Sequence, residues 1–573
     1  MSNILFWARR AAATADSRYA LVAVALAAVL AVVAGCAAQP AAHARQPAAE
    51  ESPQAVFEQY QAMARKLKSP RLVARMLLEE ARKKQGSGRA IMAGLLALRA
   101  GDYRTATDAA ALLRQLQPHQ PETWSVSLRV ALTLGNLDLA REAAGKAYET
   151  GGAKAVGMGL DGAIDPWFVY SLVEDLARAH PQDEALRLLL ARSALGAGNP
   201  NAALTAARES SSFGPGARAA KFIAIQALWG LGRHEQALEE AAETLADHAH
   251  DPGLRVFYAN MLAREGKRYR AYEVLDDARA LAPQEDPQVV FGYAVVAAAL
   301  GEADKARGKL TALLERGDDS EGAYSLLAQL AEQDGQWGEA FGWYQQIQSP
   351  SSLAGSRVAS LFALNRWKGN KVALDYLTQL EGNFPGLAPT WAGVRASLLG
   401  LDGRNEAAWK SLGQALERFS DVQPLRYQRA LLADTLGKAD KALAALDRLV
   451  KAAPHNPLYL NAYGYTLTEH TDRYREAYGY IKSALAIMPN DSAILDSMGW
   501  VLYRLEQPGK ALDYLRRAWH ETHDIAIARH LVQVYLALNR GDEARKVLNS
   551  ALGQAPTDPQ LLQLKRQLQL AQR

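Results

Sequence analysis

Residues 121–149, PETWSVSLRVALTLGNLDLAREAAGKAYE, contain the pattern that decides the fold. Apolar residues recur at helical spacing from Trp124 to Gly135, and Ala140 and Ala147 continue that spacing beyond the glycine. Glycine ends a helix readily because it adopts a positive φ without strain. Alanine is small enough to let two helices pack closely. The stretch therefore predicts two helices joined by a short turn.

An alanine equivalent to Ala140 recurs along the chain, often with a glycine five residues before it. The thirteen anchoring alanines are Ala106, Ala140, Ala203, Ala237, Ala271, Ala306, Ala340, Ala373, Ala408, Ala442, Ala477, Ala511 and Ala544. Successive alanines are 33 to 35 residues apart, except for one spacing of 63 between Ala140 and Ala203. A fixed period of this length predicts an array of helical pairs, in which each pair buries its apolar face against the next.

The repeat resembles the tetratricopeptide repeat (TPR). Trp124 stands at the aromatic position of the first helix, Leu128 at the small-residue position, and Gly135 at the turn. Prolines at the terminal position of a repeat are Pro118, Pro283, Pro454, Pro489 and Pro556. The resemblance implies an all-α, right-handed TPR superhelical solenoid of about 13–14 helix-turn-helix repeats.

The N-terminus is typical of a secretory signal. Arg9, Arg10 and Arg18 precede an uncharged run from 19 to 35, mostly Ala, Val and Leu. A positive segment followed by a short apolar run and small residues predicts a signal peptide over 1–35. A transmembrane anchor is the alternative, although the run is shorter than the roughly 18 to 20 apolar residues that span a bilayer comfortably.

Cys36, the single cysteine of the chain, ends the sequence VVAGC. This motif resembles the bacterial lipobox, and the resemblance implies that Cys36 is acylated and becomes the first residue of the mature protein. Residue 37 is Ala and not Asp, which by the same resemblance implies the outer membrane, with the protein facing the periplasm. Residues 36–53 are rich in Ala and Pro and predict a tether.

The remaining chain divides by its repeat pattern. Residues 54–150 are expected to form an N-terminal helical cap and the first repeats, 182–565 the main array, and 566–573 a C-terminal tail. Residues 151–181 interrupt the period and begin with the glycine-rich sequence GGAKAVGMGLDGAIDP. They predict either one degenerate repeat or a hinge.

The sequence contains no recognisable catalytic motif. GEADKARGKL, residues 301–310, lacks the spacing and the hydroxyl of a phosphate-binding loop. HETHDIAIARH, residues 520–530, imitates a zinc-protease motif, but its first two histidines are three apart, whereas that motif needs four. The formal net charge of +4 gives no basic surface for nucleic acid. We expect no enzyme activity, no cofactor, no metal site, no nucleic-acid binding and no small-molecule substrate.

The TPR resemblance implies a concave face lined by first-helix side chains, taken at fixed offsets from the small-residue position. The peptide-binding candidates are Arg129, Arg192, Gln226, Asn260, Gln329, Asn461, Tyr465, Asp496, Trp500, Tyr503, Arg504, Arg529 and Gln533. Polar and aromatic residues are densest between 461 and 504, a mixture suited to peptide capture. The alternative for Trp500 and Tyr503 is that they only pack between helices.

Residues 461–518, NAYGYTLTEHTDRYREAYGYIKSALAIMPNDSAILDSMGWVLYRLEQPGKALDYLRRA, resemble the proteobacterial outer-membrane TPR lipoproteins. One type of these proteins is the adaptor of a periplasmic carboxyl-terminal processing protease and delivers peptidoglycan hydrolases to it. The resemblance implies an adaptor that binds protein clients, with that protease and those hydrolases as partners. A structural scaffold of an envelope assembly, in polysaccharide export or outer-membrane biogenesis, is the alternative.

Overall fold

The structure is a computed structural model that describes residues 69–570, except 161, 162, 164, 211–215, 249, 250, 282–285, 318–320, 350 and 351. The expected signal peptide, Cys36 and the tether lie outside the described residues, as does the segment from 54 to 68. Within the described part, regular structure consists of 29 α-helices and one short 3₁₀ helix, with no strand. None of these helices is long and apolar enough to cross a membrane.

The helices follow one another with short connections. Their bounds are α1 Pro70–Lys84, α2 Ser87–Arg99, α3 Tyr103–Leu116, α4 Pro121–Leu134, α5 Leu137–Leu160, α6 Pro166–Ala179, α7 Glu184–Gly196, α8 Pro200–Glu209, α9 Ala217–Gly230, α10 His234–Asp247, α11 Pro252–Arg264, α12 Arg268–Leu281, α13 Pro287–Ala299, α14 Ala303–Glu315 and α15 Glu321–Gln333. The rest are α16 Trp337–Gln346, α17 Leu353–Lys368, α18 Asn370–Asn383, α19 Ala388–Leu401, α20 Asn405–Arg418, α21 Gln423–Thr435, α22 Ala439–Ala452, α23 Pro457–His470, α24 Tyr474–Ile487, α25 Ser492–Arg504, α26 Pro508–Thr522, α27 Ile525–Ala537, α28 Gly541–Gln554 and α29 Pro559–Leu570.

Local sequence sets the ends of the helices. The turn glycines of the repeat have positive φ, for example +74° at Gly135 and +70° at Gly437, so that each closes the first helix of a pair. Several first helices begin with an Asp or Asn cap followed by proline. Asn456 accepts hydrogen bonds from the N–H groups of Leu458 and Tyr459, and the ring of Pro457 fits the first helical position.

The glycine-rich interruption lies inside α5. Gly152 has φ +64° and ψ −162°, which breaks α5 into two helical pieces around this residue. The second piece packs against α4, where a Cβ on Gly159 would lie 2.7 Å from Leu128 Cδ2. This piece and α6 together occupy the place of one helical pair. Whether the kink acts as a hinge stays a prediction.

The helices form fourteen consecutive pairs, framed by α1 and α29 in the part of the chain described. The first helices of successive pairs also contact one another, as α2 with α4, α11 with α13, and α23 with α25. First helices therefore form the inner layer of the superhelix and second helices the outer layer. The anchoring alanines, among them Ala140, Ala237 and Ala511, are completely buried between the two layers.

The array winds far enough for repeats one superhelical turn apart to lie side by side. The Tyr103 hydroxyl donates to the Pro385 carbonyl, 282 residues along the chain, at 3.2 Å. The Asn201 amide donates to the Ala486 carbonyl, 285 residues along the chain, at 3.3 Å. At a repeat of about 34 residues, one superhelical turn therefore contains about eight repeats. We call this contact between successive turns the seam.

At the seam, the short loops inside early helical pairs contact the loops between later helical pairs. A Cβ on Gly101 would lie 2.6 Å from the Pro385 carbonyl oxygen, and one on Gly135 would lie 2.6 Å from the Asp421 carbonyl carbon. At both places the backbone of the early glycine contacts the backbone of the later loop at a distance that only glycine permits. The Tyr103 and Phe419 rings also pack edge to face, with centroids 5.5 Å apart.

Apolar side chains extend the seam beyond these glycines. Leu458, Ile487 and Met488 pack both against the core of their own repeats and against the core built by 167–296. The two turns are therefore held by shared apolar burial as well as by hydrogen bonds.

Candidate protein-binding face

The inner wall is formed by the first helix of each pair, and its side chains differ widely in exposure. Of the thirteen predicted residues, Arg192 is exposed. Arg129, Asn461, Tyr465, Tyr503, Arg504, Arg529 and Gln533 are partly buried, whereas Gln226, Asn260, Gln329, Asp496 and Trp500 are buried. Burial is high because adjacent first helices approach closely on the inside of a curve. The predicted set therefore contains surface groups and packed groups on the same face.

Three buried amides occupy equivalent positions in three repeats. Gln226, Asn260 and Gln329 each stand one residue after the small-residue position, and they are 7%, 7% and 4% exposed. Among the described residues, the side-chain carbonyl oxygen of each is buried without a hydrogen-bond partner, and so is that of Asn461. Leaving a buried acceptor unpaired costs about 1–3 kcal/mol, so each of these oxygens is an energetically costly group on the inner wall.

The C-terminal part of the inner wall contains an aromatic cluster. The indole of Trp500 stacks on the imidazole of His530, with centroids 4.2 Å apart and planes at 16°, and on Tyr503 at 5.2 Å. The indole N–H donates to the Glu469 carboxylate. Trp500 is 7% exposed, so packing accounts for most of its surface.

An Asp–His pair lies beneath this cluster. His530 Nδ1 is 2.9 Å from Asp496 Oδ1 and 3.1 Å from Oδ2. A carboxylate only accepts, so Nδ1 carries the hydrogen and donates it. Burial, with the nearby Glu469 and Asp496 carboxylates adding to it, raises the pKa of Tyr465 well above its usual range, so its phenol stays neutral.

Two of the predicted arginines donate to main-chain carbonyls. Arg129 donates to the Met158 carbonyl at 2.7 Å, and Arg504 donates to the Thr468 carbonyl at 3.2 Å while its guanidinium lies 4.6 Å from the centre of the Tyr474 ring. Both side chains connect neighbouring pairs. Their contacts within the chain leave less of each guanidinium available to a ligand.

Sequence reasoning missed His530 and Glu469 as members of the face. His530 directly follows the predicted Arg529, and Glu469 lies four residues after Tyr465, one helical turn on. Helical spacing was the signal that could have indicated both residues. The described part of the chain holds no cluster of three or more His, Cys, Asp or Glu side chains suited to a metal ion.

Known proteins share the repeat. One tetratricopeptide-repeat family model matches residues 502–568, and a second matches 188–253, 293–352 and 427–492. A TPR repeat-containing protein of Pseudomonas aeruginosa, PA4667, is 30% identical over 209 residues. That match covers 36% of this chain and 35% of the relative, so the chain spans about a third of the length of this curated relative.

Several solved structures are similar to parts of this chain or to most of it. A TPR protein of Thermus thermophilus, TTC0263, is 26% identical over 31% of this chain and 94% of its own, with a TM-score of 0.28. The complex of Cut9 with Hcn1 matches 90% of this chain and 99% of the matched chain at 14% identity, with a TM-score of 0.34. PilW, a type IV pilus biogenesis factor, matches 37% of this chain and 98% of its own at 16% identity, with a TM-score of 0.31. The family models and the repeated helical pairs together show that this chain contains tetratricopeptide repeats and folds as an all-α TPR superhelix.

Proposed function

We propose that this protein is a lipid-anchored adaptor of the bacterial outer membrane that binds protein clients on its inner wall in the periplasm. TPR proteins typically mediate protein–protein interactions, and the fold is generally an interaction scaffold. The observation that carries the proposal is the inner wall itself. It combines the aromatic ring of Tyr503, the cation of Arg192 and the amide of Gln533 on one face. Such a mixture suits recognition of polypeptide.

Affinity capture tests the adaptor. The bait is the chain from residue 36 with Cys36→Ser, and the sample is periplasmic extract. Arg192→Ala, Tyr503→Ala and Gln533→Ala together remove surface from the inner wall and keep the stacked pair of Trp500 and His530. Clients that bind there should be recovered about tenfold less, which corresponds to about 1.4 kcal/mol. The control variant carries Lys482→Ala and Arg516→Ala on the second helices α24 and α26, where both side chains are exposed.

The identity of the recovered proteins separates the two functions. A processing protease recovered together with peptidoglycan hydrolases supports the adaptor. Stoichiometric recovery of a pore or a synthase would instead support a scaffold in an envelope assembly. Equal recovery by the inner-wall and control variants would contradict binding on this face.

The lipid anchor needs its own experiment. The full-length chain should gain mass on Cys36 corresponding to attached acyl chains and should sediment with outer membranes. The chain from residue 37, exported behind a signal peptide that is cleaved without lipidation, should be soluble in the periplasm, because two or more acyl chains supply the stable membrane binding. Sedimentation of this shortened chain with membranes would contradict the anchor.

A further inference from the structure

The seam limits how a partner reaches the inner wall. It runs along the arc shared by the two turns, from Tyr103 on Pro385 to Asn201 on Ala486, and Gly232 continues it with a Cβ position 3.4 Å from Asn490 Nδ2. Along this arc the inner wall of one turn continues directly into that of the next. A partner therefore has no lateral opening between the turns there.

The width of the enclosed space can be calculated from the number of first helices in one superhelical turn and the distance between them. About eight first helices, each roughly 10 Å from the next, make a ring about 25 Å across between helix axes, and subtracting the helix thickness leaves a free inner diameter of about 13–15 Å. A helix with its side chains is about 10–12 Å wide and an extended chain is thinner. A folded domain of about 100 residues has a radius of gyration near 13 Å and is therefore about 30 Å across.

We infer that the seam makes the inner wall a bore, which admits one extended polypeptide segment or one helix through its open ends and excludes a folded domain. The inference rests on the proposed function for the kind of partner.

Cysteine labelling measures the bore directly. In the Cys36→Ser chain, Arg192→Cys places one thiol on the inner wall, and Thr205→Cys places one on α8, the second helix of the same pair; both positions are exposed. Each variant is treated with a maleimide on a linear polyethylene glycol and with a maleimide on a folded protein of about 100 residues.

We expect the linear reagent to label both positions at rates within about threefold of each other. The folded reagent should label Arg192→Cys at least about tenfold more slowly than Thr205→Cys. Equal rates for the folded reagent at the two positions would overturn the inference.

Two glycine variants then test the role of the seam. Gly135→Ala adds a Cβ 2.6 Å from the backbone of Asp421, whereas a Cβ on Gly266, also a turn glycine with positive φ, meets nothing within 4 Å. Gly135→Ala should raise labelling of Arg192→Cys by the folded reagent several-fold, and Gly266→Ala should not.

If Gly135→Ala leaves the folded reagent excluded, although circular dichroism and seam cross-linking show a folded chain with an open seam, the seam does not set access and the inference fails. Cross-linking uses Asn201→Cys with Ala486→Cys, since the Asn201 amide nitrogen is 3.3 Å from the Ala486 carbonyl. No client is present in these measurements, so their failure is distinct from failure of the capture experiment.

Discussion

Gly135→Ala should destabilise the protein more than the same change at an equivalent turn glycine outside the seam. Gly135 and Gly437 both close first helices, with φ of +74° and +70°. An alanine at either position lowers the free energy of unfolding by about 1 kcal/mol or somewhat more, because it must adopt the left-handed backbone conformation. At Gly437 the new Cβ meets nothing within 4 Å, so that cost is the whole effect. At Gly135 it lies 2.6 Å from Asp421 C and 2.7 Å from Val422 N.

Backbone atoms cannot move aside as a flexible side chain can, so Gly135→Ala must separate the two turns locally. Overpacking of this kind adds about 1–3 kcal/mol, which gives an expected total of about 2–4 kcal/mol for Gly135→Ala and about 1 kcal/mol for Gly437→Ala. Urea unfolding followed by circular dichroism gives the two midpoints, with the m-value reported because repeat arrays can unfold in parts. Equal midpoints for the two variants would refute the seam as a stabilising contact.

Three further changes test other parts of the fold. Tyr103→Phe removes the hydroxyl that donates to Pro385 but keeps the ring, so we expect a loss of about 0.5–1.5 kcal/mol in the free energy of unfolding, measured in urea; an unchanged midpoint would show that this bond does not contribute. Burial raises the pKa of Glu332 to about 7, with a hydrogen bond from Tyr344 opposing part of the rise. The folded chain therefore binds this proton more tightly than the unfolded chain, whose glutamate pKa is about 4.3, so the contribution is complete below about pH 4 and is lost as pH rises through 7. Glu332→Gln should flatten the fall in melting temperature between pH 5 and 8, and a slope equal to wild type would contradict this. Arg357, 5% exposed, donates to the Tyr344 carbonyl at 2.9 Å near the end of α16. Arg357→Met leaves that buried carbonyl without its donor and should lower the free energy of unfolding by about 1–3 kcal/mol, and Arg357→Lys should lower it by less because lysine keeps a donor. An unchanged melting temperature for Arg357→Met would contradict a stabilising role for this hydrogen bond.

Much of the fold was predictable because a TPR superhelix is built from local contacts. The 33–35-residue spacing of alanines such as Ala140 and Ala237 predicted helical pairs of the kind observed, and the positive φ of Gly135 confirms its place at a turn. The candidate face was only partly accessible to such reasoning. Offsets along a helix placed Gln226 and Trp500 on the inner wall, but they did not reveal how deeply neighbouring helices would bury them.

The sequence by itself determined the helical pair, the period and the all-α class, because turn glycines, crossing alanines and helix caps act within one or two repeats. Only the tertiary structure decided that successive turns touch. The seam brings Tyr103 to Pro385, which is 282 residues further along the chain. Which repeats meet at the seam depends on the sum of many small rotations between neighbouring repeats. No single repeat encodes that sum, so the pitch, and with it the closed inner space, emerges only when the whole array is assembled.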